Sequence, residues 1–487
     1  MLLTTFLTLL VLSTYKYHGT LIKENDNNPK AGYINLDDNL LNRLGIISIS
    51  FILILFINSY NLLPIIDGIN IYNNWFNFNK LSLPIIILIL LLIIMLLTYN
   101  ITNIKWLVNE DSTYKKGSLI IIVIINIIGL LLFPLTNDLL SIYVIIELQS
   151  YTLYILTGIN NRSYNASRAS LLYFIMGGIA SVIILLASYF IYNLTGTTNL
   201  NDISLFYNYN NNNNYYFDIL VIALMFKMGL APLHRWSISV YNYAPTYITA
   251  YISIVAKLSI ATFIYINSNL INNNILIIFF YISIIIGSYK PLYEINIKTI
   301  LAYSGILNFG YLLLSIITFD LSFYIFLIQY ILTHIIIFLS ILSANEFINK
   351  PISNWSPIIY IHQLILPNKT LVLCLILALF SLIGIPPLPG FYGKIYILYA
   401  AISDNYILET IILIISSVIA TYYYANIIKI LITSFNKFNT LNYDIIIKDN
   451  NYINSTIAYV ISLSTIILIT LFIYLPNILE GLYIITI

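Results

Sequence analysis

Apolar runs of about 18 to 25 residues follow one another along the whole chain, parted by short polar breaks, and each has the length an α-helix needs to cross a bilayer. Reading the runs between breaks predicts about fourteen spans, near 1–15, 44–63, 81–99, 118–135, 138–159, 169–193, 217–240, 246–266, 273–289, 298–318, 321–344, 370–402, 407–428 and 455–476. The twelfth run is too long for one straight helix and contains GIPPLPG at 384–390, so it reads as two half-helices in series. The polar breaks carry a second pattern. Loops after odd-numbered spans hold 16 of the 21 Lys and Arg residues: Lys16, Lys23, Lys30, Arg43, Lys105, Lys115, Lys116, Arg162, Arg168, Lys290, Lys298, Lys350, Lys369, Lys429, Lys437 and Lys448. Loops after even-numbered spans hold only Lys80, and Lys227, Arg235, Lys257 and Lys394 lie inside or at the ends of spans. Basic residues collect on one side of a membrane protein, and a miscounted span would scramble the segregation.

The chain is therefore expected to be all-α and polytopic, one membrane domain over 1–487. Composition agrees: 60% of residues are hydrophobic and 8% charged, with a mean hydropathy of +0.90. A soluble chain of this length would need far more charge. The only cysteine, Cys374, excludes disulfides, Cys-rich zinc sites and iron–sulfur ligation by this chain alone. Of the histidines at 18, 234, 334 and 362, only His234 and His334 lie near apolar segments, too few for a bis-haem bundle. No metal site is expected, nothing resembles a nucleotide or quinone site, and no nucleic-acid partner is implied.

The abundant Ile, Asn, Tyr, Leu, Phe and Lys can all be written with A/T-only codons, while Gly (18) and Pro (14) are scarce. That bias points to a mitochondrial genome. No Arg-rich, acid-poor leader precedes the first run, as expected of a protein made inside the organelle. The expected location is the inner mitochondrial membrane, with basic loops in the matrix and both termini on the intermembrane-space side. The polar stretch 201–216, NDISLFYNYNNNNNYY, falls on the acidic side and reads as a mobile, low-complexity loop.

Charges at membrane depth change the picture most. Glu147 is the one acidic residue in the middle of a span, and three lysines oppose it: Lys227 in span 7, Lys257 in span 8 and Lys394 in the second half of span 12. Ionisable groups cost several kcal/mol there and are usually functional; the structural alternative is a buried pair or a snorkelling lysine. Glu147 can pair with Lys227, which leaves two amines without a carboxylate in the membrane. Such an amine must deprotonate, find water or exchange its proton with a neighbour, and a titratable lysine in a hydrated interior is a proton carrier. Gly229-Leu-Ala-Pro232 in span 7 and Gly384-Ile-Pro386-Pro387 in span 12 share one pattern. Proline removes an intrahelical hydrogen bond, so each motif is expected to break its helix and free carbonyls into a water-filled cavity that hydrates the nearby lysine. A packing kink is the alternative.

Two broken helices five spans apart suggest an inverted repeat: a three-helix part at 1–117, five-helix units at 118–266 (spans 4–8) and 273–428 (spans 9–13), and a closing helix at 455–476. Five is odd, so the second unit would be upside down relative to the first and could offer a half-channel to the opposite side. His334 is a candidate bridge between Lys257 and Lys394, or else a satisfied core histidine; His234 and Arg235 are expected to line the mouth of the span 7 break.

At these residues the chain resembles the antiporter-like membrane subunits of respiratory complex I. FKMGLAPLHRW resembles the family's seventh helix, SLIGIPPLPGFYGKIYI its twelfth and INIKTILAYSGILNFGYLLL its tenth. Length and Lys394 point to the chain-2 type: chain 4 carries glutamate at the twelfth-helix position, and chain 5 is longer, with a lateral helix. One departure stands in HRWSISVY, where the family has proline and an acidic residue and this chain has Ile238 and Ser239. The resemblance implies a proton-translocating module with Glu147 and Lys227 as a coupled pair, Lys257 as central station and Lys394 as terminal lysine. It further implies NADH, FMN, iron–sulfur clusters and ubiquinone held by partner subunits, with none bound by this chain. Expected partners are other complex I membrane subunits, including further antiporter-like chains, and lipid, cardiolipin among the candidates. Two rivals are a free-standing cation/proton antiporter and a structural scaffold whose charges only lock helices together.

Overall fold

The structure is a computed structural model that describes residues 2–14, 16–17, 34–35, 38–59, 68–102, 117–160, 163–210, 215–344, 347, 358–364, 366, 368–437 and 454–486. Helices α1 (Leu2–Thr14), α2 (Asp38–Ser59), α3 (Leu83–Thr102), α4 (Gly117–Leu132), α5 (Leu139–Thr157) and α6 (Tyr164–Thr195) cover the first six expected spans. The seventh run is split into α8 (Tyr215–Met228) and α9 (Arg235–Tyr243), preceded by a short α7 (Leu200–Asn210). Then come α10 (Thr246–Ile266), α11 (Asn273–Tyr289), α12 (Ile297–Ile317) and α13 (Ser322–Ser343). The twelfth run is split into α14 (Lys369–Ile383) and α15 (Pro389–Ser403), and α16 (Ile407–Lys437) and α17 (Ser455–Thr486) close the chain. Among the described residues nine helical stretches are long and apolar enough to cross a membrane, and the apolar stretches Leu2–Leu12, Leu83–Thr98, Leu119–Leu135 and Lys369–Ile383 are shorter.

Burial sorts these helices into an inner and an outer set. α10, α12 and α13 are enclosed almost all round, whereas α6, α16 and α17 turn large apolar side chains such as Leu171, Val182, Val418 and Ile466 outward. A helix that is apolar on every side is stable only when both faces meet protein or lipid. The inner three carry many of the buried polar groups, among them Lys257, Asn308, Gln329 and His334, and α5 adds Glu147 and Gln149.

Two expectations are corrected. The stretch at 201–216 is not simply a loop: residues 200–210 form α7, which buries Leu200, Ile203 and Tyr207 at helical spacing; positions 211–214 lie outside the described residues. Lys298 does not sit in a solvated loop. It is buried in the first turn of α12 and donates to the Ala244 carbonyl at 2.7 Å, because the helix starts one residue earlier than the apolar run suggested. His18, Lys23, Lys30, Lys105, Lys115, Lys116, Arg162, Lys350 and Lys448 lie outside the described residues.

A hairpin, β1 (Lys16–Tyr17) with β2 (Ile34–Asn35), and a second, β3 (Ile69–Ile71) with β4 (Phe76–Phe78), occupy polar breaks. The tight turn of the second places Asn73 and Asn74 at positive φ, a region asparagine tolerates. Its end is tied to the start of α5: Asn137 N–H donates to the Trp75 carbonyl, and the Asp138 carboxylate caps α5 while accepting from Thr198 Oγ1. These contacts fix the level at which α5, and Glu147 within it, enters the bundle.

Candidate functional site

α5 is held by amides and hydroxyls rather than by apolar packing alone. Gln149 Nε2 donates to the Gly129 carbonyl at 2.7 Å, and Asn126 Nδ2 donates to Thr152 Oγ1 at 2.7 Å while Asn126 Oδ1 accepts from Tyr251. This network fastens α5, which carries Glu147, to α4 and α10. Across from it, Lys227 Nζ lies 2.9 Å from Glu147 Oε1, both side chains largely shielded from solvent. The second carboxylate oxygen has Ser150 Oγ at 3.4 Å. Among the described residues this is the one ion pair.

Lys227 stands in the last turn of α8, where the carbonyl end of the helix dipole favours a cation. The helix stops at Gly229, whose φ of +69° is left-handed, and Ala231–Pro232 is a cis peptide. The freed carbonyls are not left to water, contrary to expectation: Trp236 Nε1 donates to Phe226 at 3.1 Å and Ser237 Oγ to Gly229 at 3.4 Å. Lys227 is thus supported by Glu147 and by the helix end. A methyl group at Gly229 would meet Ser237 Cβ at 2.6 Å on top of an unfavourable φ. Gly229→Ala is therefore expected to destabilise the protein by about 1–3 kcal/mol, seen as a lower melting temperature of the solubilised protein.

Lys257 is 4% exposed and begins the α-helical second half of α10, directly after a π-helical turn at Ile252–Ala256. π turns leave a carbonyl out of register; Ser253 O accepts from Tyr330 OH at 3.1 Å. The ammonium lies over the rings of Phe309 (5.2 Å) and Tyr241 (5.3 Å). A cavity of about 30 Å³ joins Lys227 to Lys257, walled by Gln149, Ser150, Tyr154 and Tyr241. That is room for one or two water molecules.

Lys394, in α15, folds back across the second break and donates to the carbonyls of Leu382 (2.8 Å) and Ile383 (2.9 Å). Gly384 there has φ of +92°, and Pro386–Pro387 is cis. The break was expected to offer this lysine water; it offers the two carbonyls it sets free. The same logic places Lys298 on Ala244 at the end of α9. Buried ammonium groups at helix C-termini are the recurring device, and Lys257, which follows a π turn, departs from it.

His334 is buried on α13, Nδ1 lying 3.0 Å from the Tyr330 carbonyl and its ring 4.0 Å from that of Tyr330. Its Nε2 finds no hydrogen-bond partner among the described residues. His234 opens α9 with Nδ1 3.2 Å from the Pro232 carbonyl. So Lys227 and Lys257 line one cavity and Glu147 is joined to it through its ion pair with Lys227; Lys394 sits apart at the second break. Sequence reasoning missed buried Lys298 and Gln329. The hydrophilic neighbours INIKT pointed Lys298 outward, and one glutamine in an apolar run gives little signal.

With this geometry in view, the comparisons are decisive. The pattern of the family described as NADH:quinone oxidoreductase/Mrp antiporter, transmembrane, matches residues 136–420. The chain belongs to that family. The matched part contains Glu147, Lys227, Lys257 and Lys394 together with both breaks. Relatives named NADH-ubiquinone oxidoreductase chain 2 bear out the chain-2 resemblance. The one from Debaryomyces hansenii is 53% identical over 92% of this chain and 96% of its own length, and the one from Candida albicans is 49% identical over 91% and 90%. A solved chain of respiratory complex I from Thermus thermophilus with bound aureothin shares the fold at a TM-score of 0.77 and 18% identity, covering 99% of this chain and 98% of that one.

Proposed function

We propose that this chain is a proton-translocating membrane subunit of an NADH:ubiquinone oxidoreductase, multi-pass in the inner mitochondrial membrane, with both termini on the intermembrane-space side. Its names among relatives support membership in that assembly, with NADH, flavin, iron–sulfur clusters and ubiquinone assigned to partner subunits. The observation that carries the mechanism is the buried Glu147–Lys227 pair, whose lysine lines a cavity shared with Lys257. Redox chemistry in the partners shifts the pair, changes the proton affinity of Lys227 and drives a proton through Lys257 to Lys394. His334 serves as the bridge between the last two. Moving one charge against about 150–200 mV needs roughly 3.5–4.5 kcal/mol. Altering the pairing by about three pKa units supplies that much, at roughly 1.36 kcal/mol per unit.

The two broken helices, α8/α9 and α14/α15, support reading 118–266 and 273–428 as inverted units, each opening to one side. The test is direct: on a native gel the chain is expected to migrate inside a very large NADH-oxidising assembly. Migration alone, with sodium-dependent proton flux from the purified chain, would favour a free-standing antiporter. In the assembly, Lys257→Met is expected to cut protons moved per NADH while leaving assembly intact, because the ammonium makes no hydrogen bond among the described residues and lies only against rings. A scaffold predicts the reverse, lost assembly with unchanged stoichiometry.

A further inference from the structure

α13 is enclosed on all sides, yet it carries Gln329, Tyr330, Thr333 and His334 within six residues. Their contacts point in two directions. Toward α10, Tyr330 OH reaches the Ser253 carbonyl of the π turn just ahead of Lys257. Toward the second break, the Gln329 amide lies against Gly390 and Gly393 of α15: a methyl group at Gly393 would fall on Gln329 Oε1, and one at Gly390 would come within 3.0 Å of Gln329 Nε2 and onto the Ser381 carbonyl. The two glycines of the Pro-Gly-Phe-Tyr-Gly-Lys run therefore make room for this amide beside Lys394. Within α13, Thr333 Oγ1 joins the Gln329 carbonyl (3.0 Å) to His334 Nδ1 (3.4 Å).

Among the described residues, His334 Nε2, Gln329 Oε1 and Ser381 Oγ are buried polar atoms that find no hydrogen-bond partner. Buried polar atoms are almost always satisfied, and where protein does not do so an ordered water does. Ser381 precedes the two carbonyls that Lys394 holds. Gln329 is thus the polar side chain of α13 that reaches the break.

We propose that Gln329 is a positioning residue for proton transfer between His334 and Lys394, its amide oxygen and the Ser381 hydroxyl holding the connecting water. This rests on the proton path described above. An imidazolium at His334 releases the Nε2 proton to the water, which passes one of its own to the free amine of Lys394. Imidazole and ammonium result, and Gln329 keeps its neutral amide throughout.

The test uses the assembled complex in sealed membrane vesicles, with Lys394→Arg, which keeps a cation on the two carbonyls, as reference. Gln329→Leu keeps the side-chain volume and is expected to lower protons moved per NADH about tenfold. Ser381→Ala is expected to lower them less and to raise the solvent deuterium isotope effect, which a purely structural role would leave unmoved. Wild-type pumping in Gln329→Leu, with pumping lost in Lys394→Arg, overturns the role of Gln329 and leaves the path standing. Wild-type pumping in both sinks the path itself. Should Gln329→Leu fail to assemble, Ser381→Ala decides: an unchanged rate and isotope effect overturn the proposal.

Discussion

Replacing Lys227 with methionine is expected to lower NADH-driven proton uptake by about a hundredfold or more, the range expected when a positioned proton carrier is lost. Lys257, the other ionisable group on the cavity wall, is the next station of the proposed path, and the wall groups Gln149, Ser150 and Tyr154 are neutral. The single substitution also strands a carboxylate whose remaining side-chain partner is Ser150 at 3.4 Å, and breaking a buried pair costs about 3–5 kcal/mol. A fall in pumping through lost assembly must therefore be separated from a fall through lost chemistry. The double variant Glu147→Gln, Lys227→Met removes both charges at nearly constant volume. It is expected to assemble as well as the natural protein, by native gel, and still fail to acidify sealed vesicles. Wild-type acidification by either variant would rule out the pair as the coupling element, and recovered pumping in the double variant would reduce it to a structural clamp.

How far the sequence led can be judged residue by residue. Helix positions were legible because hydrophobic length is a direct consequence of bilayer thickness, and the splits at Gly229 and Gly384 were legible because proline cannot continue the ladder. That Glu147 would pair with a membrane lysine was legible from its being the one acid in mid-span, and the family resemblance is what singled out Lys227. What satisfies the freed carbonyls was not legible. Trp236 and Ser237 do it at the first break and Lys394 at the second, and each choice depends on three-dimensional approach that no spacing encodes. The π turn before Lys257 was equally hidden, since ISIVA carries no proline or glycine to announce it. α7 was obscured by its asparagine-rich sequel, although Leu200, Ile203 and Tyr207 already had helical spacing. On α13 His334 was legible as a lone histidine in an apolar run, whereas Tyr330 and Gln329 escaped because they acquire meaning only against Ser253 and Gly393.

Lys394→Arg is the sharpest separation of chemistry from architecture. The ammonium holds the carbonyls of Leu382 and Ile383 at the end of α14, so it both caps a helix and, on the proposed path, stores a proton. Methionine removes both roles; each carbonyl left unpaired in the interior costs about 1–3 kcal/mol, and weaker assembly is expected along with lost pumping. Arginine keeps a cation and donors for the carbonyls but cannot release a proton at any physiological pH. The arginine variant is accordingly expected to assemble and to migrate normally on a native gel, while NADH-driven acidification falls about a hundredfold. A scaffold would treat arginine as nearly equivalent to lysine, because both bring a cation and N–H donors to the carbonyls of Leu382 and Ile383. Normal acidification with arginine would show that no proton leaves this amine, and the terminal station would have to be sought elsewhere. Lost acidification with intact assembly would mean that the same two carbonyls that make the lysine affordable inside the membrane also set how tightly its proton is held, so that release depends on moving the half-helix end rather than on water alone.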